Sequence, residues 1–183
     1  LMVYAAWQSV YAAQPWVVNP QSSEITFIAI QEGSAFTGHF ERFDIELKFD
    51  PEHLDSSYFK VSIDTASINT HAPDRDEILR SAEFFDISQW PDAKFNTTQI
   101  TSLENGFYLA TATLKIREKA QQLYFPFQLR ILKQDPPLLT ASGELLINRF
   151  DFDLAQGEWR DTRIIGEQVL IRVKLKASKP IRR

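Results

Sequence analysis

The chain has 183 residues, no cysteine, fourteen phenylalanines against one methionine, and a formal net charge of −4. That length suits one domain with a sizeable core. The lack of cysteine excludes disulfides and thiolate metal sites, and the acidic balance offers nucleic acid no electrostatic hold, so no nucleic-acid partner is expected.

The N-terminus, "LMVYAAWQSVYAAQPW", is apolar but too short to span a bilayer, and it lacks a basic leader. Val10-Tyr11-Ala12 is an acceptable small-residue cleavage pattern. Residues 1–13 therefore read as a signal-peptide remnant or an appended tail, and 14–183 as one domain. No other stretch approaches the length of a membrane span.

Period-2 alternation dominates from there on. Rows of strand type run over 24–30, over Ile45, Leu47 and Phe49, and over 59–67, 107–116 and 139–147. Two more are Leu123-Phe125-Phe127-Leu129-Ile131 and Val169-Ile171-Val173-Leu175. With turn signals at Asp50-Pro51, Asn105-Gly106, Asp135-Pro136-Pro137 and Gly157, this makes about eight strands. One segment breaks the pattern. Asp74 and Glu77 form a capping-box-like start, and Ile78, Leu79, Ala82 and Phe85 recur on a helical face until Pro91. The spacing predicts a single short helix lying across an open end. Many antiparallel strands with one capping helix indicate a closed barrel or a sandwich, and closure is favoured because it removes edges.

Catalytic signatures are scarce. His39, His53 and His71 are scattered, and His71 with Asp74 and Asp76 reads better as a polar loop feeding a helix start than as a metal site. Arg75-Asp76 either pins the helix to the barrel rim or offers Arg75 to an anionic head group, and the rim role is the better reading. "NRFDFDLAQGEW" at 148–159 reads as a strand leading to an aromatic rim, with no chemistry in it. Ala110 and Ala112 share a face with Tyr108. They leave room for a guest, unless large rings interdigitate with them.

These stretches resemble the YceI-like family of bacterial periplasmic proteins. The runs that carry the resemblance are "WVVNPQSSEITFIA", "FTGHFERFDIELKFDPEHLDSS", "IDTASINT", "RDEILRSAEFFDISQWPDAKF", "NRFDFDLAQGEW" and "IGEQVLIRVKLKA", from Trp16 to about Ala177. Two departures stand out. Glu118 occupies the position of the family's turn glycine in "LKIREKAQQLYFPF", and His71-Ala72-Pro73 replaces a glycine near the helix.

The resemblance implies an all-β fold: an extended eight-stranded antiparallel lipocalin-like barrel, one short helix capping an end, and an elongated apolar cavity. It implies a periplasmic or secreted protein, often a homodimer, that holds a long amphiphile such as an isoprenoid quinone or a prenyl phosphate. No catalytic residue, metal or cofactor other than that lipid is expected. Competing readings are a lipid-modifying barrel enzyme and a filled-core structural or stress-associated domain. Face parity and position in the matching motifs nominate Phe27, Phe36, Phe40, Phe95, Tyr108, Phe127 and Phe152 as ligand contacts. Phe84 and Phe85 join them from the helix edge, and Ala110 and Ala112 as makers of room.

Overall fold

The structure, a computed structural model, describes residues 14–180. Its strands are β1 (Val17–Val18), β2 (Glu24–Gln31), β3 (Ser34–Phe40), β4 (Phe43–Lys48), β5 (Tyr58–Asp64) and β6 (Ile68–Asn69). After one helix, α1 (Pro73–Arg80), come β7 (Asp92–Ser102), β8 (Phe107–Ile116), β9 (Lys119–Leu132), β10 (Leu138–Asn148) and β11 (Gln168–Ser178). All eleven belong to one curled antiparallel sheet, a half-barrel, in the order β4-β5-β7-β8-β9-β10-β11-β2-β3-β6, with β1 added alongside β11. Trp16 ties the β4 edge toward β11 at one end. Its N–H donates to Leu47 O on β4 (2.8 Å) while the next residue, Val17, pairs with Ser178 on β11.

The count of eight strands is therefore corrected to eleven among the described residues, and the reason is local. β1 and β6 are two residues long. On β3 the inward positions are Phe36, Gly38 and Phe40, and the glycine interrupts the apolar row. On β7 a bulge between Thr97 and Gln99 breaks the parity that a period-2 reading depends on. In the other direction, 149–154 is no strand. Arg149–Phe152 forms a 3-10 turn capped by the Asn148 side chain, which accepts from Phe150 N–H.

Turn chemistry follows the sequence more closely. Asn105 and Gly106 both have positive φ (59° and 76°), as a tight hairpin between β7 and β8 requires. The β8–β9 connection shrinks to Arg117-Glu118, with Arg117 at φ 55°, so a non-glycine residue takes the left-handed position in the turn that departs from the family pattern.

The helix begins one residue before the expected start, and its cap differs. Ala72 is the N-cap and has no side chain with which to cap, Pro73 fills the first turn, and acidic Asp74 and Asp76 face the positive end of the dipole. The helix stops at Arg80, and residues 81–90 continue as turns. Asp76 is the buried anchor: its carboxylate accepts from Thr70 N–H (2.8 Å) and from Thr70 Oγ1 (2.6 Å). Arg80 donates to Ala66 O (2.9 Å) and Ile68 O (2.7 Å). Asp76 and Arg80, rather than Arg75, pin the helix to the sheet.

Candidate functional site

Inward-facing side chains divide into two populations. Around the Trp16 end they are fully buried: Leu47, Phe49, Ile100, Ala110, Phe127, Leu139 and Ala177 form one packed cluster. Toward the helix, Phe36, Phe40, Phe85, Val169 and Ile171 are only partly buried, and together with buried residues such as Phe27 and Ile116 they border a hollow. That hollow has a volume of about 350 Å³. Its walls are β2 and β3 (Phe27, Ala29, Phe36, Phe40), α1 and the turns after it (Ile78, Leu79, Phe84, Phe85), β8 and β11 (Leu114, Ile116, Val169, Ile171) and the 149–165 loop (Leu154, Trp159, Ile165). A second chamber of about 90 Å³ lies deeper, lined by Phe59, Phe95, Phe125, Phe127 and Gly143 among others. Ile25, Ile63, Leu114 and Ile171 line both, so the two are adjoining apolar chambers that share a wall.

The aromatic run "FFDISQWPDAKF" is split among three destinations. Phe84 and Phe85 line the large chamber, each in edge contact with a ring from another segment (Phe84 on Trp159 at 5.8 Å, Phe85 on Phe40 at 6.0 Å). Phe95 lines the deeper chamber and meets Phe125 edge-on at 5.7 Å. Trp90 stays half-buried outside, beneath Lys115. The sharp bend that makes this distribution possible is at Asp86, with φ 47° and a buried carboxylate that accepts from Ser88 Oγ (2.9 Å) and Gln89 Nε2 (2.8 Å).

Of the nominated contacts, Phe27, Phe36, Phe40, Phe84 and Phe85 line the large chamber, and Phe95 and Phe127 the deeper one. Tyr108, Ala110, Ala112 and Phe152 line neither. Ala110 and Ala112 have no exposed surface, and β9 puts Phe125 directly opposite Ala110 and Leu123 opposite Ala112. The room they leave is filled by neighbours, as interdigitation requires. Phe152 is buried beside Ile116, Ile147 and Leu154 behind the wall.

The sequence reading missed the polar frame of the hollow. Arg149 is 2% exposed, and its guanidinium donates to the carbonyls of Gly166 (3.0 Å), Leu154 (3.1 Å), Trp159 (2.8 Å) and Ile165 (2.9 Å), with a longer contact to Ala155. Burial, with Arg160 nearby, pulls its pKa below the usual arginine value. One side chain thus folds the whole 149–166 loop into a wall. Arg117 does similar work across the gap, donating to Ala82 O, Phe84 O and Asp153 O. Alternation gives no signal for such residues, because their partners are carbonyls of irregular backbone. The aliphatic lining was legible: the parity that places Phe27 inward also places Ile25 and Ala29, and the row containing Tyr108 continues to Leu114 and Ile116.

As chemistry, the site is a nonpolar container. Its ionisable lining consists of Asp74, Arg75 and Arg149. His71 lies beside His39, ring centres 5.3 Å apart, rather than in a cluster with Asp74 and Asp76, and among the described residues no group of three or more His, Cys, Asp or Glu is arranged to hold a metal. No helix among the described residues is long and apolar enough to cross a membrane.

Comparison with known proteins agrees with this geometry. The YceI-like domain matches residues 16–177. A UPF0312 protein of Vibrio cholerae serotype O1 is 29% identical over 103 residues, 56% of this chain and 54% of that protein, so the chain spans about half the length of the curated relatives it matches. Among solved structures, Burkholderia cenocepacia BcnA superposes with a TM-score of 0.82 at 27% identity, covering 87% of this chain and 99% of that one. A polyisoprenoid binding domain from Saccharophagus degradans, implicated in plant cell wall breakdown, gives a TM-score of 0.71 at 17% identity over 90% of this chain and 98% of that one, a likeness of fold alone. With a match spanning nearly every described residue, the chain belongs to the YceI-like family.

Proposed function

We propose that the protein binds a long amphiphilic lipid of the isoprenoid quinone or prenyl phosphate type and carries it without chemical change. The observation that carries this reading is the pair of adjoining apolar chambers, walled by rings that brace one another instead of collapsing inward. Phe27 contacts Phe36 (6.2 Å) and Phe40 (5.8 Å), and Phe40 contacts Phe85. Phe suits this task because it supplies large area with few rotatable bonds. Burial of a hydrocarbon tail gains about 0.8 kcal/mol per CH₂ in transfer terms. Large ligands retain about 0.3 kcal/mol per heavy atom, so a tail of about 20 carbons, near the limit of what the two chambers hold, contributes about 6 kcal/mol, an affinity in the range of tens of micromolar.

The test is mass spectrometry of an organic extract of the purified protein, followed by titration of the stripped protein with geranylgeraniol. Co-extracted prenyl lipid and saturable binding are the expected results. A clean extract with no binding of the alcohol returns the filled-core reading.

The same reading places the protein in the bacterial periplasm or outside the cell, to be checked by fractionation. It also includes a homodimer. Neighbouring strands β8, β9 and β10 turn Phe107, Tyr124 and Leu146 outward, with Tyr124 63% exposed, and light scattering measures whether that face is shared between two copies.

A further inference from the structure

We propose that Arg75 is the head-group residue of the cavity, and that the lipid it selects carries an anionic oxygen, a phosphate in the first instance. The proposal rests on the lipid reading above and specifies the polar end of that ligand. Several arginines lie at this end of the molecule. Arg80, Arg117 and Arg149 donate to backbone carbonyls and hold α1 and the loops in place. Arg75 does something else. It lines the large chamber from the first turn of α1, its guanidinium carbon sits 4.1 Å from the centre of the Phe36 ring, and its Nε is buried with no hydrogen-bond partner among the described residues.

A buried guanidinium N–H without an acceptor is costly, and buried donors without partners are rare in folded proteins. The cation is thus held in place by an aromatic face that leaves its hydrogen-bonding capacity unspent. A planar guanidinium matches the oxygens of a phosphate or carboxylate, which it binds in a forked, charge-assisted way. The surroundings have the right sign. The ionisable lining consists of two arginines and Asp74, and Asp74 is solvent-exposed. The positive end of the α1 dipole lies at the same turn and adds to the attraction for an anion. A ligand with its phosphate on Arg75 would run its chain past Phe27 and Leu79 toward the deeper chamber.

The experiment compares geranylgeranyl phosphate, geranylgeraniol and inorganic phosphate on the delipidated full chain, read by quenching of tryptophan fluorescence, since Trp159 lines the chamber. Wild type should bind the phosphate at least tenfold more tightly than the alcohol. R75M should lose that preference while binding the alcohol within about twofold of wild type, and R75K should keep part of it. Equal affinity of wild type for phosphate and alcohol, or an undiminished preference in R75M, overturns the head-group assignment and leaves the lipid reading standing. If neither lipid binds wild type, both fall. Inorganic phosphate binding as tightly as the prenyl phosphate would mean a free-anion site, which also overturns the proposal.

Discussion

Replacing Arg149 by methionine should be among the most damaging single changes outside the apolar core. Methionine roughly preserves the stem but removes every donor. Four backbone carbonyls, those of Leu154, Trp159, Ile165 and Gly166, then lose a partner within 3.1 Å. A buried polar group left without its hydrogen bond costs about 1–3 kcal/mol, which gives a gross loss of at least about 4 kcal/mol. The variant no longer buries a charge, and that relief offsets part of the loss. A net destabilisation of about 3 kcal/mol remains, and for a chain of this size each kcal/mol moves Tm by about 2–4 °C, so a fall of about 6–12 °C is expected. Urea denaturation monitored by circular dichroism supplies the free energy, and a thermal melt the Tm. Arg149→Lys should recover little, because a single ammonium cannot reach carbonyls spread over the whole loop. A loss below about 1 kcal/mol for Arg149→Met would refute the reasoning, since it would show the loop carbonyls satisfied without the guanidinium.

Cavity and filled core respond oppositely to added volume. Ala29→Trp should fill the large chamber, abolish retention of extracted lipid and leave Tm within a few degrees, whereas Ala112→Trp, at a site with no exposed surface, should cost about 1–3 kcal/mol or more by overpacking. Phe127→Ala should cost about 3 kcal/mol in urea denaturation, because the ring touches Phe59, Tyr108 and Phe125 at 5.2–6.0 Å and only part of its surface borders the deeper chamber. For the exposed Asp50–His53 pair (2.9 Å), the bond to Asp50 raises the His53 pKa. Burial alone would raise the Asp50 carboxyl, but His53 and Glu52 N–H hold it below the usual carboxylate value. The stabilisation from His53 is complete below the ordinary histidine pKa and fades as pH rises through its raised value, while that from Asp50 fades as pH falls through its lowered one. Melting curves at pH 5.5 and 8 should show wild type losing an advantage over His53→Gln at the higher pH; an equal gap at both would remove the pair from the pH dependence.

What could be read from the sequence was whatever repeats at a fixed period or needs a special backbone angle. The rows on β2, β9 and β11 fixed which residues face inward, and Asn105-Gly106 announced its hairpin. The helix was legible to within one residue at its start, although the cap attributed to Asp74 and Glu77 is replaced by Pro73 and by the buried Asp76–Thr70 contact. Parity could say which face is inward but not how far along the strand the core is filled. On β8 it was the distal residues, Leu114 and Ile116, that reached the hollow, while Tyr108 and Ala110 packed against Phe49 and Phe127. The 148–159 stretch failed for a different reason. Its apparent alternation belongs to a 3-10 turn and a loop organised by Arg149, and a side chain bonded to carbonyls of irregular backbone leaves no periodic trace.

The distribution of filled and hollow regions follows from how the two ends are tied. At one end Trp16 donates its indole N–H to Phe49 O and its backbone N–H to Leu47 O, and Lys179 packs over its ring while donating to Gln14 O. The β4 edge is drawn toward β11 there, and rings touch in sequence: Phe49 meets Tyr108 edge-on, Tyr108 stacks on Phe127, and Phe127 stacks on Phe125. At the other end the wall is completed by α1 with the turns after it and by the 149–166 loop, two segments that pack on each other through Ile78, Leu79, Phe84, Ala155 and Ile165 and are also held by hydrogen bonds to Asp76, Arg80, Arg117 and Arg149. A wall that packs on itself and hangs from polar anchors need not collapse onto the sheet to be stable, and so a hollow persists beneath it. The same division separates what a guest displaces from what keeps the chain folded. A lipid tail entering under α1 meets the braced rings of Phe27, Phe36 and Phe40, and the packed floor beyond Phe127 ends the space available to it.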